Sequence, residues 1–144
     1  MEPIIDHIQI TVRDMGVAVP FYDRLLPLLG FDPRRRVDAT IEAHDFHVVD
    51  YTHPRLGFAI TSPRGAFASE TVHRRRPGSL HHLAFKAGSR AEVDRLHAAL
   101  EEIGANIVSG PKLHPEYGPN YYAVFFKDPD GIKYELVHDE PVAT

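Results

Sequence analysis

Ten histidines and no cysteine in 144 residues point to nitrogen and oxygen chemistry. Without thiols there is no disulfide, thiolate metal ligand or cysteine nucleophile. Any bound metal is therefore held by imidazole and carboxylate. Three residues stand out by the face they must occupy. Successive strand side chains point to opposite sides. In His7-Ile8-Gln9-Ile10-Thr11-Val12 the apolar residues take one side and His7, Gln9 and Thr11 the other. In the segment from His81 to Ala87, the apolar set Leu83, Phe85 and Ala87 leaves His82, Ala84 and Lys86 opposite, and His81 is expected to point away from them. In the last strand Ile132, Tyr134 and Leu136 are the apolar set, which leaves Lys133, Glu135 and Val137 on the far side. Two imidazoles (His7, His82) and one carboxylate (Glu135), with coordination positions left open, suit one divalent transition metal: Fe, Mn, Zn, Ni or Co. Such ligands bind as neutral His and ionised Glu, so affinity is expected to fall toward acid pH. Gln9, Thr11, Lys86 and Lys133 are the substrate contacts these faces offer.

The elements that must position these residues occur twice. An offset of 75 residues carries His7 onto His82 and Asp14 onto Ser89, and both Asp14 and Ser89 are good helix N-caps. Ser89-Arg90-Ala91-Glu92 also reads as a capping box. The same offset carries Ala18, Phe21, Leu25 and Leu28 onto Val93, Leu96, Leu100 and Ile103, one apolar helix face. Gly30 and Gly104 end the two patterns. Pro20 and Pro27 predict a first helix that is kinked or shorter than its partner. Strands are expected near 34–38, 43–51 and 55–61, then near 106–112, 120–127 and 132–138, the last two joined by the turn Asp128-Pro129-Asp130-Gly131. Each half is thus strand, helix, three strands. The single domain divides into a first module over 1–62, a Pro-, Gly- and Arg-rich connector over 63–79, and a second module over 80–144.

Other residues offer chemistry outside the strands. His114 and Glu116 lie on a Pro- and Gly-bounded loop where an acid or base can be placed. Tyr117, Tyr121 and Tyr122 stand beside the strand of Glu135, and the expected hairpin facing selects Tyr122, so His114 and Tyr122 are the catalytic candidates. The triplets Arg34–Arg36 and Arg74–Arg76 could steer or clamp an anionic substrate. His44 and His47, three apart in an expected strand, are poor joint ligands.

In Asp6-His7-Ile8, Phe21-Tyr22, Leu29-Gly30-Phe31, His82-Leu83-Ala84-Phe85 and Phe126-Lys127-Asp128-Pro129-Asp130-Gly131 leading to Glu135-Leu136, the chain resembles the vicinal oxygen chelate superfamily, nearly end to end. That superfamily includes glyoxalase I, fosfomycin-resistance proteins, extradiol dioxygenases and bleomycin-resistance proteins. The resemblance implies an α+β fold of two tandem βαβββ modules, with mixed sheets curled around a cup and the helices outside. It implies metal ligands at His7, His82 and Glu135, the three that face alternation also selects. A fourth ligand, as in glyoxalase I-like members, would fall at Ala59, whose methyl cannot bind metal. The implied function is a metal-dependent enzyme on a small oxygen-bearing substrate. Thiol transfer with epoxide opening, or ring-cleaving dioxygenation, is favoured over glyoxalase I isomerisation. The alternative is a metal-free protein that sequesters a toxic compound, as bleomycin-resistance members do. A homodimer is expected, with the modules paired within a chain or between chains.

Composition bounds these readings. At about 150 residues per domain the length gives one domain. With 43% hydrophobic and 25% charged residues the chain is ordinary globular material. A net charge of −4 argues against a nucleic-acid partner. No stretch approaches the ~18 apolar residues of a membrane span. Residues 1–10 lack a signal-peptide pattern, so a cytoplasmic location is expected.

Overall fold

The computed structural model describes residues 1–141. Two compact units divide between Thr71 and Val72, inside the expected connector. The first unit runs β1 (His7–Thr11), α1 (Met15–Leu28), β2 (Asp32–Ile41), β3 (Phe46–His53) and β4 (Leu56–Thr61). The second runs β5 (Leu83–Lys86), α2 (Arg90–Glu102), β6 (Asn106–Leu113), β7 (Tyr121–Lys127) and β8 (Lys133–Asp139). Each unit holds a four-stranded sheet, in the order β1-β4-β3-β2 and β5-β8-β7-β6. The first pair in each sheet is parallel and the others antiparallel. The architecture is α+β with mixed sheets, as expected.

Both helices start where a side chain satisfies an exposed backbone donor. Gly16 N donates to Asp14 Oδ1 at 2.8 Å, and Glu92 N donates to Ser89 Oγ at 3.0 Å. The capping box closes one residue early, because Glu92 Oε2 accepts from Gly88 N at 3.3 Å. Of the two outcomes expected from its prolines, kinked or shorter, α1 does not show the shortening: its 14 residues exceed the 13 of α2. An interior proline costs a helix about 3 kcal/mol. α1 buries Ala18, Phe21, Tyr22, Leu25 and Leu26, and large apolar side chains return about 1.5–3 kcal/mol each. Packing therefore overrides propensity here. Val93, Leu96 and Leu100 of α2 pack likewise over the second sheet.

The third expected strand starts late. Glu42–His44 form a single 3-10 turn, and Asp45 takes a left-handed conformation (φ 52°). His44 and His47 therefore do not share a strand, and His47 Nε2 lies 2.5 Å from Asp38 Oδ1. The β7–β8 hairpin is held by Asp128 Oδ1, which accepts from Asp130 N (2.9 Å) and Ile132 N (2.8 Å). Gly131 supplies the positive φ of 86° that this turn needs. No helix of the described residues is long and apolar enough to cross a membrane.

Candidate metal and substrate site

Strand register decides which side chains meet. Glu135 of β8 pairs with Phe125 of β7 and with Ala84 of β5. Tyr121, Ala123, Phe125 and Lys127 therefore share the face of Lys133, Glu135 and Val137, with Ala84 and Lys86 beside them. Tyr122, Val124 and Phe126 turn to the side of α2. The expected facing of Tyr122 is thus corrected: its hydroxyl donates to Asp94 Oδ1 of α2 at 2.5 Å, and Arg90 lies over its ring. Pairing of Phe125 with Glu135 puts odd-numbered residues of β7 on the carboxylate's face, so Tyr121 is the tyrosine that reaches it.

Glu135 is the most deeply buried acid described, at 1% exposure. A carboxylate out of water is costly unless hydrogen-bonded. Its Oε1 accepts from the Tyr121 hydroxyl, and its Oε2 lies 3.1 Å from His82 Nε2. Burial, and then the bond to Glu135, push the Tyr121 phenol well above the ordinary tyrosine value, so it stays a donor. His82 stands just ahead of β5. Its Nδ1 lies 2.7 Å from Nδ1 of His81. His81 therefore does not point away as expected: it precedes the strand, where alternation does not apply. With Nε2–H donated to Glu135, Nδ1 of His82 accepts from His81. In the other tautomer Nδ1–H donates to His81 and leaves the Nε2 lone pair free.

His7 belongs to the first unit and is exposed. Its Nδ1 lies 2.7 Å from Asp6 Oδ1, which leaves Nε2 without a hydrogen bond among the described residues. Metal-binding histidines are commonly oriented by such a carboxylate. Gly57 pairs beside it, and a Cβ there would come within 3.1 Å of the His7 Cβ. Gln9 and Thr11 share its exposed face, and the Thr11 hydroxyl lies 3.5 Å from that of Thr61. Ala59 pairs with Gln9 in the first sheet as Glu135 pairs with Ala84 in the second, and it brings no donor. No group of three or more His, Asp or Glu side chains able to hold a metal occurs among the described residues; the second unit supplies the pair His82 and Glu135.

His114 continues the aromatic floor of the second unit. It is 6% exposed, and its backbone N donates to the Tyr121 carbonyl at 2.8 Å. Its ring stacks on Tyr117 (centroids 5.6 Å) and meets Phe125 edge-on (5.3 Å), and Phe125 also meets His82 (6.2 Å). His114 Nδ1 lies 2.9 Å from Glu116 Oε1, a bond that holds the Glu116 carboxyl below the usual range. Its Nε2 is buried with no partner among the described residues. Lys133 Nζ lies 4.6 Å over the Phe125 ring, and Lys86 is exposed on β5. Sequence reasoning missed Tyr121 and His81. The parity of the β7–β8 pairing could have found the first, and nothing in the spacing marks the second.

Known proteins resemble this chain in sequence and fold. Over 91% of its length the chain is 32% identical to the uncharacterised Bacillus subtilis protein YqjT, covering 95% of it. It is 26% identical to the metallothiol transferase FosB of Bacillus licheniformis, over 92% of this chain and 73% of that one. A crystal structure of a Bacillus halodurans protein assigned to the glyoxalases superposes with a TM-score of 0.74 at 32% identity, covering 94% of this chain and 96% of that one. The family model of the Glyoxalase/Bleomycin resistance protein/Dioxygenase superfamily matches residues 4–136, and the chain belongs to that superfamily.

Proposed function

We propose that this protein is a metal-dependent enzyme acting on a small oxygen-bearing substrate, with His7, His82 and Glu135 holding one divalent transition metal. The observation that carries the reading is the buried Glu135 carboxylate with His82 Nε2 3.1 Å away. Two donors each about 2.0–2.2 Å from an ion and roughly at right angles stand that far apart. The spacing of this pair suits a shared ion, and Fe, Mn, Zn, Ni and Co all accept imidazole and carboxylate ligands. When bound, such an ion supplies Lewis-acid stabilisation of negative charge on a chelating substrate oxygen.

The chain's own residues do the rest. Tyr121 fixes the rotamer of Glu135 through Oε1 and leaves Oε2 toward His82. His81 Nδ1 accepts a hydrogen bond from Nδ1–H of His82 when Nε2 is needed as a lone pair. His114 takes a proton at Nε2 while Glu116 steadies the charge that forms on the ring. Gln9, Thr11, Lys86 and Lys133 contact the substrate. Ala59 leaves three ligands, which favours thiol transfer with epoxide opening, or ring-cleaving dioxygenation, over glyoxalase I isomerisation. The metallothiol transferase among the relatives supports the first of these. We further propose a homodimer; a monomer in sedimentation at micromolar concentration would overturn it.

The test is metal content of untagged protein beside His82→Ala. We expect about one transition metal per chain, lost in the variant. Undiminished metal in His82→Ala rejects the site. A wild-type protein that neither carries nor takes up metal is instead the sequestering protein. Iron directs assays to dioxygen uptake with catechols, and manganese or zinc to thiols with epoxides.

A further inference from the structure

The first basic triplet has no role in the chemistry above, yet only part of it faces solvent. Arg36 reaches α1, where its Nε donates to Asp23 Oδ1 at 2.7 Å. The strand bows at this point. β2 sets Asp32 against Thr52 and Val37 against Asp50, so residues 33–36 stand opposite Tyr51 alone. Such bulges bend a strand away from its partner and are over-represented beside functional sites. The bend leaves a hollow of about 120 Å³ between α1, β2 and β3. Its walls are Pro27, Phe31, Pro33 and Tyr51, and its polar end is the ion pair of Asp23 with Arg36. Asp32 also lines it, but Arg34 already occupies both of its oxygens. His7 pairs with Gly57 and Gly57 with Thr52, so Tyr51 and the hollow lie on the opposite face of the sheet from His7.

The polar end is held rigidly and keeps capacity to spare. Tyr51 is 4% exposed, and its hydroxyl donates to the same Asp23 Oδ1 at 2.8 Å. Two donors on one oxygen fix the carboxylate and leave Oδ2 with no hydrogen bond among the described residues. The guanidinium is fixed as well. Its Nε is bound, its Cζ stands 6.0 Å from the centre of the Tyr51 ring, and Nη2 is 3.7 Å from Asp38 Oδ2, too far for a hydrogen bond. An acceptor and a donor thus stand side by side at the end of an apolar slot. A charged ligand would meet a like charge on one of the two. The volume, well below the roughly 300–1,000 Å³ of a drug-sized site, limits the occupant to one ring. We propose that this hollow binds a small neutral ring with a hydrogen-bond donor beside an acceptor, such as a ring carrying a primary carboxamide. The donor meets Asp23 Oδ2, the acceptor meets the Arg36 guanidinium, and the ring lies among the prolines and aromatic side chains. The site goes beyond the reading under Proposed function and does not depend on it.

Titration of isotope-labelled protein with benzamide, followed by NMR, tests it. Backbone amide shifts should saturate with a dissociation constant on the order of millimolar, as expected of so small a ligand. The shifts should be largest at residues 23–36 and at Tyr51. Asp23→Asn and Arg36→Gln should each weaken benzamide about tenfold, since each removes a charge-assisted hydrogen bond. Arg35→Gln removes the same charge from the exposed neighbour and should leave the affinity unchanged. Benzoate and benzylammonium carry the same ring with a charge and should each bind about tenfold more weakly than benzamide. Shifts that fail to saturate or that centre elsewhere overturn the proposal. So does equal affinity in wild type and both variants, or preference for either charged ring. If the variants fail to fold, the wild-type shift map and the order of the three ligands still decide it.

Discussion

At the scale of the residue, the site turns on which side chain holds Glu135. The carboxylate is buried, and its orientation is set from Tyr121 on one oxygen and His82 on the other. Residues that orient a metal ligand typically cost 10- to 100-fold in metal affinity when removed. Tyr121→Phe should therefore weaken metal by about that factor in a competition titration, with the fold intact by circular dichroism. Tyr122→Phe should leave metal affinity alone and cost about 1 kcal/mol of stability through its lost bond to Asp94. The reverse outcome would mean that Tyr122 holds the carboxylate. The face of Glu135 was legible because apolar neighbours at every second position of its strand set it, whereas His82 stands just ahead of β5. Tyr121 was not legible, since choosing it over Tyr122 depends on pairing parity across a turn, and a shift of one residue exchanges the faces.

At the scale of the element, the repeat of strand, helix and three strands was legible from caps and apolar spacing alone. The errors lie where local preference and packing disagree. α1 runs through Pro20 and Pro27 because its buried face outweighs them, while Glu42–Asp45 turns where a strand was expected. Long-range ties between elements left no mark in the spacing. Asp23 of α1 accepts from Tyr51 of β3 at 2.8 Å and from Arg36 of β2 at 2.7 Å. Burial, and then Asp23, raise the Tyr51 phenol well above its ordinary value of 10.0. A group raised in the folded state contributes stability that is complete below its unfolded value and is lost as pH climbs toward the folded one. Above about pH 10 the wild-type protein should lose stability more steeply than Tyr51→Phe. Urea titrations across that range check it, and equal slopes would mean that Tyr51 ionises as freely folded as unfolded.

At the scale of the whole molecule, metal that binds only the native state must raise its stability. At a free concentration 100 times the dissociation constant the gain is about 2.7 kcal/mol. For a chain of this size each kcal/mol is worth roughly 2–4 °C in Tm, so a rise of roughly 5–10 °C is expected on adding the native ion. The same experiment apportions the ligands between the two units. His82 and Glu135 belong to the second unit and His7 to the first. If all three bind, His7→Ala and His82→Ala should each abolish the rise, because a site short of one ligand no longer distinguishes native from unfolded chain strongly. If His7→Ala keeps the rise and His82→Ala loses it, the ion is held by the second unit alone. Asp6 would then steady an imidazole with another task. A rise kept in both variants would place the metal away from all three residues. The measurement needs no substrate, so it separates the ligand set from the unknown reaction, and it ties the fate of one buried carboxylate to the stability of the entire chain.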